Sequence, residues 1–274
     1  MEVGRKSIFV LIFELIYNFD KIMPTLYQKV CEVREDMKVI LKVMSSGGFY
    51  SALEELGPLY EKITGKEVIL ISGSSMGSSP TSIPARLTQG EEADILCMAG
   101  PELDKLIDAG FAISGSRVDL VLSKIGMVVR SGAPKPDIRT KEAVIRTLRE
   151  AETIGYSASA SGTYLAKDLF PRLGIWEEIK DKSKEVVKDR VATWVARGEL
   201  QIGFQQVSEL LAIPGVDLVG TLPDDIQKIT VFSAGIATAS KQVDEANKFV
   251  LFLTSPEAHP IIIKKGLEPV NSKE

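Results

Sequence analysis

From residue 39 onward, short runs of aliphatic and β-branched residues alternate with longer stretches whose apolar positions recur at intervals of three and four. Residues 39–43 read as a buried strand. Residues 49–64 read as a helix with Leu53, Leu56, Leu59, Tyr60 and Ile63 on one side and Gly65 just past its end. The same pattern predicts strands at 67–71, 93–98, 123–130, 154–156, 201–204, 215–220 and 228–237. It predicts helices at 83–89, 101–109, 141–152, 164–173, 189–197 and 243–253, with Pro101 in a first turn and Gly110 and Gly174 just after helix ends. The mixed-charge run 177–190 reads as a solvated helix face, and the segment around His259 as a helix end or turn. Strand and helix alternate, which predicts an α/β fold with a mainly parallel sheet and a ligand site beyond the carboxyl ends of the strands.

Three of the predicted strands run into turns made of serine and glycine. The first carries Ser45, Ser46, Gly47 and Gly48; the second carries Ser74 and Ser75; the third runs from Ser157 through Ser159, Ser161 and Gly162 to Thr163. Where a strand turns into a helix, the first amide N–H groups of the helix lack internal partners and carry the positive end of its dipole. An anion fits there, and hydroxyls add donors without adding charge. A single such turn would serve only to cap its helix. Three of them, with no Arg or Lys inside any, describe a pocket that holds an oxyanion or carboxylate with neutral donors.

Composition narrows the alternatives. The 274 residues are 45% hydrophobic and 26% charged with a net charge of −4, so the chain has material for one large or two modest cores and no basic surface for nucleic acid. Cys31 and Cys97 are the only cysteines and His259 the only histidine, which excludes a disulfide framework and a Cys-based metal site. Residues 1–36 stand apart. Their apolar run from Ile8 to Phe19 is interrupted by Glu14 and Asn18, too short and polar to span a bilayer. Arg5 and Lys6 precede it as in an export signal, but no small-x-small cleavage site follows. The segment reads as an N-terminal extension, either upstream of a start at Met37 or an added amphipathic helix.

The order of these motifs carries a resemblance. The SSGG turn, the GSS turn, PARLTQGEEADILCMAGPELDKLIDAG, IGMVVRSGAPKPDI, ASGTYLAKDLFPRLGIW, RGELQIGF and FVLFLTSPEA together resemble the type II solute-binding proteins of the molybdate-binding group, over residues 37–270. GFQQVSELL, PGVDLVG, LPDDIQ and TVFSAGIA are most similar to the branch that includes aconitate isomerase. The resemblance implies a two-lobed type II periplasmic-binding-protein fold, hinged on two crossing strands, with the ligand in the cleft and no cofactor or metal. Lobe one is expected at 37–122 plus 232–274 and lobe two at 123–231. The implied ligand-binding residues are Ser45, Ser46, Gly47, Gly48, Ser74, Ser75, Ser159, Ser161, Gly162 and Thr163. The chain departs from the pattern of the molybdate binders at the first turn and near Gln205, where that group carries a tyrosine. That departure favours a polycarboxylate or amide-bearing ligand, with Gln205 rather than Gln206 touching it.

These features imply a monomeric binder of a small anion, either an oxyanion or a polycarboxylate, that serves a membrane transporter permease and has no nucleic-acid partner. Two alternatives stand beside it: an isomerase that shifts a double bond in a tricarboxylate, and a cytosolic ligand sensor. The family places such proteins in the periplasm, whereas the lack of a clear cleavage site allows the cytoplasm. An isomerase needs a base. Glu209, Tyr156 and Tyr164 are the titratable residues nearest the turns, Glu209 reading as a helix-surface carboxylate and the tyrosines as packed aromatics.

Overall fold

The computed structural model describes residues 39–270 apart from 77, 78 and 188. The expected extension at 1–36 lies outside the described residues. The strands are β1 Ile40–Ser45, β2 Glu67–Ser72, β3 Ile95–Ala99, β4 Val118–Ser123, β5 Ile125–Arg130, β6 Ile154–Ser157, β7 Ser183–Val186, β8 Ile202–Gln206, β9 Val216–Thr221, β10 Thr230–Ile236 and β11 Glu268–Pro269. The helices are α1 Gly47–Thr64, α2 Ile83–Thr88, α3 Gly100–Asp108, α4 Lys141–Glu150, α5 Ala160–Tyr164, α6 Phe170–Arg172, α7 Trp176–Ile179, α8 Val191–Ala196, α9 Val207–Leu211, α10 Val243–Leu253 and α11 His259–Lys264. A π-helical stretch, Leu165–Leu169, joins α5 to α6.

The strands form two sheets, ordered β11-β4-β10-β3-β1-β2 and β7-β6-β8-β5-β9. Both are mixed rather than mainly parallel. In the first, β1 runs parallel to β2 and β3, while β10 lies antiparallel between β3 and β4. In the second, β6 runs parallel to β7 and β8, while β5 lies antiparallel between β8 and β9. The antiparallel strands are those by which the chain passes from sheet to sheet. The strand expected at 123–130 is β5, and the strand before it, β4, stands outside the expected set: β4 ends at Ser123 in the first sheet, β5 starts at Ile125 in the second, and Lys124 alone separates them. Only Ser123 and Lys124 stand between the apolar residues of β4 and those of β5.

The charged run also departs from the expectation. Its helix stops with α7 and a 3-10 turn at Lys180–Lys182, after which Ser183–Val186 pairs with β6 as an edge strand. An edge strand dressed in charges resists pairing with another chain, so strand geometry and a helix-like charge pattern coexist here. The segment around His259 forms α11 rather than a bare turn.

Each sheet has its own core. Phe49, Leu53 and Leu56 of α1 are fully buried, and Tyr60 meets Phe249 of α10 edge to face at 4.8 Å. In the second sheet, Met127 and Phe204 pack with Phe170, which lies 6.4 Å from Phe204 between ring centres. Full burial of such side chains contributes roughly 1.5–3 kcal/mol each. That stiffness is what holds the turns at the strand ends in place.

Candidate functional site

All three serine-glycine turns reach one cavity of about 70 Å³. A single water needs about 10–15 Å³ on this measure, so the space holds a small molecule. At the first turn, Ser46 occupies the N-cap of the 18-residue α1 in extended backbone conformation, yet its side chain makes no capping bond. Its hydroxyl is buried without a protein partner. Gly47 and Gly48 supply the first two amides of α1, which no residue within the helix can satisfy. Both glycines are closely approached by side chains. A β-carbon at Gly47 would overlap the Glu209 carboxyl, and one at Gly48 would overlap the ring of Phe232.

The other two turns contribute hydroxyls. Ser75 Oγ accepts from the Ala99 N–H (3.2 Å), which leaves its own O–H free to donate into the cavity. Ser74 spends its O–H on the Met76 carbonyl (2.7 Å). Across the cavity, Ser159 and Ser161 join Ser157 in a ring of hydroxyls at 2.7, 3.2 and 3.3 Å. Ser159 and Ser161 line the cavity and Ser157 stands behind them. When an anion draws the two front protons, Ser157 can donate into the ring, and such chains strengthen one another.

Several expected residues do not face the cavity. Ser45 is buried in β1 and donates to the Ser46 carbonyl (3.1 Å). Gly162 serves packing, because a β-carbon there would overlap the Ser157 carbonyl; Thr163 donates its N–H to the Ser159 carbonyl (2.9 Å). Neither is a lining residue. The expected choice of Gln205 over Gln206 is reversed: strand alternation turns Gln206 to the cavity and Gln205 into the protein. Both ends of Gln206 have protein partners, which leaves one Nε2 hydrogen for a ligand. Its Oε1 accepts from Ser123 Oγ (2.7 Å) and its Nε2 donates to Thr230 Oγ1 (3.0 Å), and those two residues are cross-strand partners in the first sheet.

Glu209 is the residue whose position the sequence concealed. Its place in SELL reads as a solvated helix face, but α9 docks on α1, where Ser208 Oγ donates to the Gly48 carbonyl (2.6 Å) and Ser51 Oγ donates to the Ser208 carbonyl (3.3 Å). The surface that Glu209 keeps lines the cavity, beside Gly47. Burial raises its pKa to about 7; the positive field of Arg190 and a hydrogen bond from Gln205 oppose the rise without cancelling it. The two tyrosines are not lining residues. Tyr164 donates to the Ile226 carbonyl (2.9 Å) and accepts from Arg172 (3.0 Å), while burial raises the pKa of both. Phe232, Thr230, Met76, Ala99 and Ala160 complete the wall, and no sequence signal marked them. Among the described residues no group of His, Cys, Asp and Glu is placed to hold a metal ion.

The profile of the bacterial extracellular solute-binding proteins matches residues 41–268. The chain belongs to that family. An aconitate isomerase from a Pseudomonas species is 44% identical over 230 residues, which cover 84% of this chain and 88% of the relative. A molybdate-binding protein of Rhodobacter capsulatus is 26% identical over 225 residues, covering 81% and 85%. The solved periplasmic molybdate-binding protein of Azotobacter vinelandii superposes with a TM-score of 0.68 at 23% identity, covering 83% of this chain and 98% of that one. The fold is thus the α/β fold of the periplasmic binding proteins, and the cavity is lined by turns from both sheets together with Gln206, Glu209, Thr230 and Phe232.

Proposed function

We propose that this solute-binding fold catalyses an allylic proton shift in an unsaturated tricarboxylate, interconverting trans- and cis-aconitate. The observation that carries the reading is the Glu209 carboxyl, poised near neutral pH inside a cavity otherwise lined by hydroxyls, amides and apolar groups. In its ionised form Glu209 takes a proton from the methylene carbon next to a carboxylate. The electron pair left on that carbon delocalises through the double bond onto carboxylate oxygens. Glu209, now protonated, returns the proton to the other end of the three-carbon unit, and the double bond has moved. A pKa near the working pH suits a group that must do both. Charge developing on the oxygens meets the unpartnered Ser46 hydroxyl, the first amides of α1 and the Ser75, Ser159 and Ser161 hydroxyls, donors fixed in advance. The relative at 44% identity supports the same chemistry. No residue is asked to bind a metal or cofactor, and the ligand is held chiefly by neutral donors. The two lobes, at about 37–122 with 232–274 and at 123–231, close on the ligand.

Incubation of the protein with trans-aconitate, with cis-aconitate followed by chromatography, tests this. Turnover is expected, and Glu209→Gln should reduce it by about 10²–10⁴-fold, the usual contribution of a general base. Tight binding with no interconversion would reject catalysis and return the site to the second reading, delivery of the anion to a transporter permease. The family and the neutral cage of donors favour that alternative.

A further inference from the structure

The strand that returns to the first sheet, β10, opens with Thr230 on the cavity wall. Phe232, two residues on, lines the cavity as well, whereas Val231 between them does not. Alternation therefore sets the two side chains on one face of the strand, about 7 Å apart. The Phe232 ring in turn lies over Gly48 at the start of α1. Along this wall a hydroxyl is separated by an apolar ring from the first amides of α1 and the unpartnered Ser46 hydroxyl.

Thr230 is also the end of a chain of hydrogen bonds. Ser123 Oγ donates to Gln206 Oε1 (2.7 Å), and Gln206 Nε2 donates to Thr230 Oγ1 (3.0 Å). Burial sets the direction of that chain. Ser123 is fully buried, and among the described residues its hydroxyl has no other hydrogen-bond partner. With the Gln206 amide turned over, Nε2 would donate to Ser123 and the Ser123 O–H would be left a buried donor without an acceptor, which is costly. In the direction found, only lone pairs stay unused at Ser123. Thr230 Oγ1 is then occupied as an acceptor, and its own O–H, with no acceptor among the described residues, is free to donate into the cavity.

We propose that Thr230 is a specificity-determining residue: it donates to a second carboxylate of the ligand, the first being held at the start of α1, with the carbons between them lying against the Phe232 ring. Ser123, behind the wall, is the positioning residue that keeps Gln206, and through it Thr230, aimed as a donor. On the reading of the ligand as a polycarboxylate, on which this rests, two donor sets with an apolar spacer match two carboxylates with a hydrocarbon spacer. A tetrahedral oxyanion has a single charged centre and engages one set.

Calorimetric titration of the parent, Thr230→Val, Thr230→Ser and Ser123→Ala with trans-aconitate, and with molybdate as the probe with one centre, tests this at a single pH. Thr230→Val should weaken trans-aconitate binding about 10–100-fold, the contribution of a hydrogen bond to a charged group, and change molybdate binding by less than about threefold. Thr230→Ser keeps the hydroxyl and should bind trans-aconitate within about threefold of the parent. Ser123→Ala frees the Gln206 amide to turn its oxygen toward Thr230, which then spends its O–H there. Trans-aconitate affinity should fall by about tenfold although Ser123 is not a lining residue, again with molybdate little changed. Trans-aconitate bound by Thr230→Val as tightly as by the parent, or an equal loss for both ligands, overturns the proposal. If Thr230→Val does not fold, Thr230→Ala and Ser123→Ala decide it by the same criteria. Interconversion is followed separately. A parent that binds without turnover removes the isomerase reading and leaves Thr230 judged by affinity, whereas turnover with unchanged affinities removes Thr230 and leaves the isomerase reading standing.

Discussion

Replacing Glu209 by glutamine removes an ionisable group whose folded pKa lies well above its ordinary 4.5, at about 7. The sign follows from proton counting. Between pH 4.5 and 7 the unfolded chain has released the proton that the folded protein keeps, so this group makes the parent less stable as pH rises and has no further effect above 7. With those two values the penalty is about 1 kcal/mol at pH 5 and about 3 kcal/mol at pH 8. The substituted amide has nearly the same shape, can still present its oxygen to Gln205, and carries no such penalty. The variant's advantage over the parent should therefore widen by about 2 kcal/mol from pH 5 to pH 8, or about 4–8 °C in Tm for a domain of this size. Thermal unfolding of both ligand-free proteins across that range reads the difference directly, and groups common to both cancel. A difference that stays flat within about 0.5 kcal/mol, the scatter of ordinary surface changes, would refute the placement of Glu209 in a desolvated site.

Ser46→Ala should leave the ligand-free protein as stable as the parent or slightly more so, because it deletes a buried hydroxyl with no protein partner. It should weaken binding of a carboxylate by about 1.5–3 kcal/mol in calorimetric titration, and unchanged affinity would remove Ser46 from the site. Gly162→Ala drives a methyl into the Ser157 carbonyl and should destabilise the fold by about 1–3 kcal/mol in denaturant unfolding, with a loss of ligand affinity as the hydroxyl ring is displaced. At pH 8, di- and tricarboxylates should bind at least tenfold more tightly than molybdate, a gap of roughly 1.4 kcal/mol. A tetrahedral oxyanion presents oxygen to ionised Glu209, whereas an organic acid can place a methylene there. Competitive thermal-shift titration that ranks molybdate first would contradict this.

The turns were legible because serine and glycine have few uses after a buried strand, and a hydroxyl at a helix start points in one direction whatever the rest of the chain does. Ser46, Gly47, Gly48, Ser74, Ser75, Ser159 and Ser161 all reach the cavity. Gly162 was legible as a glycine but not for its reason, since the Ser157 carbonyl that excludes a side chain is backbone and leaves no mark in composition. Glu209 was hidden because solvation and burial of a helical glutamate look alike until the partner helix is known, and α9 and α1 are some 160 residues apart in the chain. The two glutamines show the limit of alternation: it says that one faces inward and the other outward, but not which, because both are buried at 4% and 3% exposure. The β4–β5 crossing leaves only a short mark, Ser123 and Lys124 being the two polar residues between Leu122 and Ile125.

The docking of α9 separates two requirements that one cavity must meet. A binding protein needs donors that converge on an anion when the two sheets approach. A proton shift also needs the base to keep one distance from the donors that hold the developing charge, through removal and return of the proton. Ser208 and Ser51 pin α9 to α1 through hydrogen bonds at 2.6 and 3.3 Å, so Glu209 is fixed to the helix that begins with Ser46, Gly47 and Gly48. The Ser157, Ser159 and Ser161 ring instead follows β6 of the second sheet. α9 is also continuous with β8 of that second sheet and buries Leu210 against Val128, Val191 and Val195, so Glu209 is tied to both sets of donors. A carboxyl on a short helix held both by α1 and by the core of the second sheet keeps a fixed distance from the donors on either side of the cavity, which is what the proposed removal and return of one proton requires.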